Sequence, residues 1–225
     1  HEDVQLVTPN WGNILNDIFD KNENIGIVGV AGSTRKSYLT TGWGTGTNLF
    51  DRINLIQVDG EIESLQTTKK NSGSKEQVKV LDGVFLSTKK EIWENFRFDE
   101  SLPGFNLYDV DFSLRITEKY VGIVTYEILL KHFSRGNYNS RWIIDTLDYH
   151  CRSEKFFLFD FEEFYISKLR RGWYKALVSH NITFQNRIKY FKTMGVDLFS
   201  VIHTFFFLFP FVGKPAFKIL SYFKL

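Results

Sequence analysis

Four short runs of aliphatic and β-branched residues constrain this chain most: "IGIVGVAG" (25–32), "INLIQV" (53–58), "VKVLDGVFLS" (78–87) and "VGIVTYEILL" (121–130). Each is short, almost wholly apolar and bounded by glycine or polar residues, so each reads as a strand buried on both faces. Helical periodicities stand between them. "NWGNILNDIF" repeats apolar residues at Trp11, Ile14, Leu15, Ile18 and Phe19, which predicts a helix capped by Asn10 after Pro9. "KKEIWENF" and "DVDFSLRITEKY" predict two more, joined by an irregular stretch over 96–108. Residues 61–77 are polar and read as a loop that builds no core. Strands separated by helices predict an α/β sheet with loops gathered at strand ends, where ligands bind.

From residue 140 the strand signal fades, and helices are expected over 141–150, 159–177 and 184–211. The division is therefore expected near residue 150, with an α/β domain over 1–150 and a helical region over 151–225. Charge follows a similar division. From Phe164 onward ten basic residues face one acid, Asp197, so that tail carries +9 and the remainder −7 of a net +2. One cysteine, Cys151, excludes an internal disulfide and a cysteine metal cage, and places the chain inside the cell. Any metal must then use histidines and carboxylates.

Such residues occur in three places. In an extended "HEDV", His1 and Asp3 point to the same side, and their pairing suits a hard divalent cation; an exposed polar terminus is the alternative. In "GFNLYDVDFSLR", Asp109 and Asp111 lie about 200° apart on a helix and must face different surroundings. Asp111 stands one turn before Arg115 and can pair with it. Asp109, which the helix dipole would stabilise as an anion, is either a helix cap or a reactive carboxylate. His132 follows a strand and precedes a Ser-Arg-Gly turn, where it reaches a ligand or sits as a satisfied imidazole. "GWGTG" offers the ring of Trp43, and "LDGVF" brings the acid Asp82 and the bare backbone of Gly83 to a strand end.

Taken in order, "HEDV", Trp11, "GIVGVAGS", "GWG", "VLDGVFLS", "FDESLPGFNLYDVDFSLR" and "HFSRGNYNSRW" resemble the later part of family 2 glycosyltransferase-like proteins of the GT-A fold, over roughly residues 1–142. The resemblance implies an inverting transferase that moves a sugar from a nucleotide-sugar donor to a glycan or lipid-linked acceptor. "HED" stands where the family has its metal-binding DxD-type motif, which implies Mn²⁺ or Mg²⁺ held by Asp3 with support from His1. It also implies Asp109 as general base and His132 as a metal or phosphate contact. Trp43, Asp82, Gly83, Asp111 and Arg115 are the substrate-binding candidates, with Arg115 either assisting the phosphate charge or pairing with Asp111. Because the family's base- and ribose-binding strands precede this motif, the chain is expected to be a piece of a longer transferase with little activity alone. The competing reading is a non-catalytic carbohydrate- or membrane-binding derivative. A glycoside hydrolase with paired carboxylates fits the motif order poorly.

The tail contains "VDLFSVIHTFFFLFPFVG", interrupted by Asp197, His203 and Pro210 and too short for a span of about 20 residues. Two readings stay open: residues 164–225 lie on an anionic membrane surface with aromatic rings among headgroups, or they pack as amphipathic helices on the sheet domain. The first puts the protein in the cytoplasm, at the inner face of the membrane. The alternation of basic with aliphatic and aromatic residues favours lipid over nucleic acid as partner.

Overall fold

The computed structural model describes residues 2–37, 41–69, 73–102, 105–134, 136, 138–152, 169–170, 172–173, 176–177 and 179–194. His1 and everything after Met194 lie outside them, as does nearly all of the helix expected over 159–177. Contacts divide the chain between residues 137 and 138, and helix α4 (Ser140–Arg152) runs through residue 150.

Two sheets make up the first unit. One joins β2 (Ile25–Gly29), β6 (Lys75–Val78), β8 (Leu86–Thr88) and β9 (Val121–Thr125) in the order β6-β9-β2-β8. The other joins β1 (Val4–Leu6), β3 (Ala31–Ser33), β4 (Asp51–Asp59), β7 (Val80–Leu81) and β10 (Leu130–His132) in the order β1-β10-β4-β3-β7, with β5 (Ile62–Thr67) paired to β4. Three runs that look continuous in sequence cross from the first sheet into the second: β2 into β3 at Val30, β6 into β7 at Lys79, and β9 into β10 through residues 126–129. The expected strands over 25–32, 78–87 and 121–130 are thus each broken, because a strongly twisted ladder ends where its neighbours diverge and the chain re-pairs elsewhere.

β2 is buried along its whole length and pairs in parallel with β9. Val28 packs with Leu15, Ile18 and Phe19 of α1 (Trp11–Asp20), whereas Ile27 packs with Ile92 of α2 (Lys90–Phe96) and with Phe112 and Ile116 of α3 (Tyr108–Thr117). Helices on both sides explain the unbroken hydrophobicity of this strand. Asn10 stands at the start of α1, but in the left-handed region and without a side-chain capping bond, contrary to expectation.

The polar stretch over 61–77 is a second correction, for it contains β5 and β6. β5 is almost entirely exposed on both faces, so no side chain advertises it; its ladder to β4 runs from Asn54–Thr67 to Asp59–Ile62. The two-residue turn is Gly60, at φ +61°, followed by Glu61, and glycine at the first loop position is what such a hairpin requires.

The second unit is helical where it is described. Ile143 and Leu147 of α4 pack with Leu177, Ile182 and Tyr190, the last from α5 (Phe184–Met194). Trp142 stacks on Trp173 at 5.4 Å and 9°, and Trp173 on Tyr190 at 6.0 Å, while the Tyr190 hydroxyl donates to the Ile143 carbonyl. Part of the chain's excess of rings is therefore core. Among the described residues no helix is long and apolar enough to cross a membrane.

Candidate active site

Each acid or histidine of the site is held by a different element. β1 and β10 are antiparallel with Val4 opposite His132, and the Phe133 amide donates to the Asp3 carbonyl at 2.9 Å. This register brings Asp3 Oδ2 to 3.6 Å from His132 Nε2. The other imidazole nitrogen, Nδ1, lies 3.2 Å from Gln57 Oε1. Gln57 Nε2 donates to the carbonyls of His132 and Ser134 at 3.1 and 2.9 Å, which orients the amide oxygen toward the ring. The network thereby assigns the proton to Nδ1 and leaves Nε2 a lone pair facing a carboxylate. Burial pushes the His132 pKa down, against the pull of Asp3, so the imidazole is neutral near pH 7.

A carboxylate facing an imidazole nitrogen is a pair that a divalent cation could bridge. Ligands held at about 2.1 Å from one cation stand roughly 3.0–3.4 Å apart, near the observed gap. One carboxylate and one neutral imidazole suit Mn²⁺ better than Mg²⁺, and the Gln57 bond is the outer support that metal-binding histidines use. Among the described residues no group of three or more His, Cys, Asp or Glu converges, so water and substrate oxygens would complete the coordination of such an ion. His1, the third expected ligand, falls outside the described residues.

The second half of the site is the turn after β7. The Asp82 amide donates to the Ala31 carbonyl at 2.9 Å, and the Gly83 amide donates to Asp109 Oδ2 at 2.8 Å. α3 is clamped to this turn by Ser113, whose Oγ accepts from the Leu81 amide at 3.1 Å and donates to the Asp109 carbonyl at 2.7 Å. Gly83 is required here, because a Cβ would lie 2.3 Å from the Tyr108 hydroxyl oxygen and 3.2 Å from Asp109 Cβ. The residue before Tyr108, Leu107, is buried with φ +64°, a left-handed turn that costs a non-glycine residue about 1–2 kcal/mol and starts α3 at this point. Leu107 is the N-cap residue, so Asp109 stands second in the helix, where its carboxylate accepts from the Gly83 amide.

Asp82 and Asp109 are crowded by protein atoms while each keeps a solvent-facing edge. Burial, then the charge of Asp109, then that of Asp3 push the Asp82 pKa up to about 7, despite bonds from the Val84 amide and the Trp43 side chain. Burial also raises Asp109, outweighing the amides of Gly83 and Val110. The expectation that the helix dipole leaves Asp109 a relaxed anion is thus corrected: desolvation is the larger effect. The Tyr108 hydroxyl donates to the Gly83 carbonyl at 3.5 Å, and burial, then the charges of Asp109, Asp82 and Asp3, raise its pKa. Trp43 is held there by its loop: the Asp51 carboxylate accepts from the Thr45, Gly46 and Thr47 amides and from the Thr45 hydroxyl at 2.8 Å.

Arg115 and Asp111 are elsewhere. Arg115 Nε donates to Asp111 Oδ2 at 2.7 Å, and its terminal nitrogens donate to the carbonyls of Phe96 and Arg97, tying α3 to the end of α2. Of the sequence candidates, then, Trp43, Asp82, Gly83 and Asp109 gather at the turn after β7, Asp3 pairs with His132 and its charge reaches Asp82, and Asp111 and Arg115 form a separate bracket.

Against known protein families, the profile of one described as "Glycosyltransferase like family" matches residues 1–157. The chain belongs to this glycosyltransferase family 2-like group. No curated protein sequence matches it. The mixed α/β architecture with curled sheets is that of a GT-A-like domain, and the family supports a glycosyltransferase-type function. Within the glycosyltransferase-like domain, sequence reasoning missed Gln57, Tyr108 and Asp51. Tyr108 was flagged only by standing beside Asp109; Gln57 and Asp51 act through partners distant in sequence or in a loop.

Proposed function

We propose that this chain carries the reaction centre of an inverting hexosyltransferase, moving a sugar from a nucleotide-sugar donor to a hydroxyl of a glycan or lipid-linked acceptor. The observation that carries the reading is Asp109, a carboxylate fixed by the Gly83 amide whose proton affinity is raised by burial. A base in this condition takes a hydroxyl proton more readily than a solvated aspartate. As the acceptor oxygen bonds to the anomeric carbon, its proton passes to Asp109 and the bond to the departing diphosphate breaks on the opposite face. Asp82, Trp43 and Gly83 would contact the sugar beside Asp109.

Asp3 and His132 would hold a divalent cation, which supplies positive charge to the leaving diphosphate. Gln57 keeps Nε2 of His132 unprotonated for that task. The basic aromatic residues over 164–225 would bring the enzyme to the inner membrane face, where a lipid-linked acceptor is found.

Release of nucleoside diphosphate from UDP-, GDP- and dTDP-sugars, measured with Mn²⁺, tests the reaction. Release that Asp109→Asn abolishes supports it. Donor binding without release in either form would instead support a carbohydrate-binding derivative.

A further inference from the structure

A line of rings runs from the core to the surface beside Asp109. Phe112, buried in the core between α2, α3 and the sheet, packs on Phe98 at 4.6 Å; Phe98 meets Tyr108 edge-on at 5.6 Å; and Tyr108 meets Phe105 at 5.2 Å and 45°. Phe98 is 43% exposed and Phe105 69%, with Tyr108 half-buried between them. Two large apolar rings open to water flank a tyrosine whose hydroxyl donates to the Gly83 carbonyl at 3.5 Å, at the turn whose amide binds the Asp109 carboxylate, so an apolar surface borders a carboxylate.

That amphipathic division selects an occupant. A hydroxyl delivered to Asp109 must belong to a molecule whose body lies over what flanks Asp109, and toward the surface the flank is Tyr108 and Phe105. A pyranose ring presents an apolar C–H face and a rim of hydroxyls, so its face covers a ring while its rim meets a carboxylate. A hydrocarbon chain has no such rim. Resting on the transferase reading, we propose that Phe105 and Tyr108 form an acceptor subsite that stacks the C–H face of a terminal pyranose and points one of its hydroxyls at Asp109. The substrate class is therefore a glycan end rather than a protein hydroxyl or a bare lipid alcohol.

Saturation-transfer NMR on the full chain, with the methyl β-glycosides of glucose, galactose and N-acetylglucosamine as probes and no donor present, tests this subsite. Saturation should concentrate on the axial C–H protons of at least one probe. Phe105→Ala should weaken that probe by roughly two- to tenfold, the span of an aromatic contact of about 0.5–1.5 kcal/mol. Phe105→Trp should keep it. Phe105 is mostly exposed, so its truncation spares the fold, which a thermal melt checks. Saturation of no probe, or saturation indifferent to Phe105→Ala, overturns the subsite. Nucleoside diphosphate release is read separately: sugar binding lost in Phe105→Ala with no release from any donor keeps the subsite and removes the transferase reading, and release with Phe105-independent binding does the reverse.

Discussion

Asp109 and Asp111 stand two residues apart in the first turn of one helix and meet opposite surroundings. Asp111 faces the end of α2, where the Arg115 guanidinium neutralises it and reaches on to two carbonyls. Asp109 faces the Asp82-Gly83 turn, where its neighbours are amides, a tyrosine hydroxyl and another carboxylate. The 100° rotation per residue separates them; what each meets depends on elements brought from elsewhere in the chain. The pairing of Asp111 spends its charge on holding two helices together. The crowding of Asp109 leaves its charge strained and its proton affinity high, which is the condition of a working base.

The largest effect should come from testing the two carboxylates side by side. Asp109→Asn should lower nucleoside diphosphate release by on the order of 10²–10⁴-fold with an unchanged thermal midpoint, as removal of a general base does. Asp111→Asn should leave the acceptor and donor KM intact. Equal loss of turnover in both variants would erase the distinction.

Next in size is the bracket itself. Arg115→Ala leaves Asp111, 5% exposed, without its guanidinium and frees the carbonyls of Phe96 and Arg97. We expect a loss of roughly 3 kcal/mol in urea unfolding, the size seen when one partner of a buried pair is removed. Gly83→Ala should cost about 1–3 kcal/mol through overpacking against Tyr108, and should lower activity together with stability because Tyr108 and Asp109 shift. A fully active, equally stable Gly83→Ala protein would show that the turn is not held as described.

A further effect is one of pH. The Asp82 pKa lies higher in the folded protein, at about 7, than in an unfolded chain, so the folded state holds its proton more tightly. That contribution is fully present below the unfolded value of about 3.9 and is lost as pH rises toward 7. Stability should decline over this window, and Asp82→Asn should flatten the decline in denaturant titrations at stepped pH. A slope unchanged by the substitution would assign it to another group. For the imidazole side of the site, Mn²⁺ should raise the thermal midpoint of the wild type and do so less in His132→Gln.

Local periodicity made α1, α2 and α3 readable, because each has an apolar face dictated by its own residues. It also separated Asp109 from Asp111 and paired the latter with Arg115. β5 was hidden, since an edge strand exposed on both faces is held by its backbone ladder and leaves little mark in side-chain pattern. The breaks at Val30 and Lys79 were hidden for a related reason: buried residues look alike whichever sheet they join. Leu107 carries no glycine or asparagine signal for its left-handed turn; packing alone imposes it.

By itself, then, the sequence determined the class of fold and offered the candidate groups, because strand and helix periods and acid, amide and imidazole chemistry are properties of short stretches. Only the tertiary structure decided which groups meet. Asp3 reaches His132 through the register of β1 on β10, Gln57 selects the tautomer of that imidazole, and Asp109 acquires its raised proton affinity from its crowded setting at the Gly83 turn. Proton affinity and ligand geometry depend on neighbours tens of residues away in the chain, and those neighbours exist only once the sheets have closed.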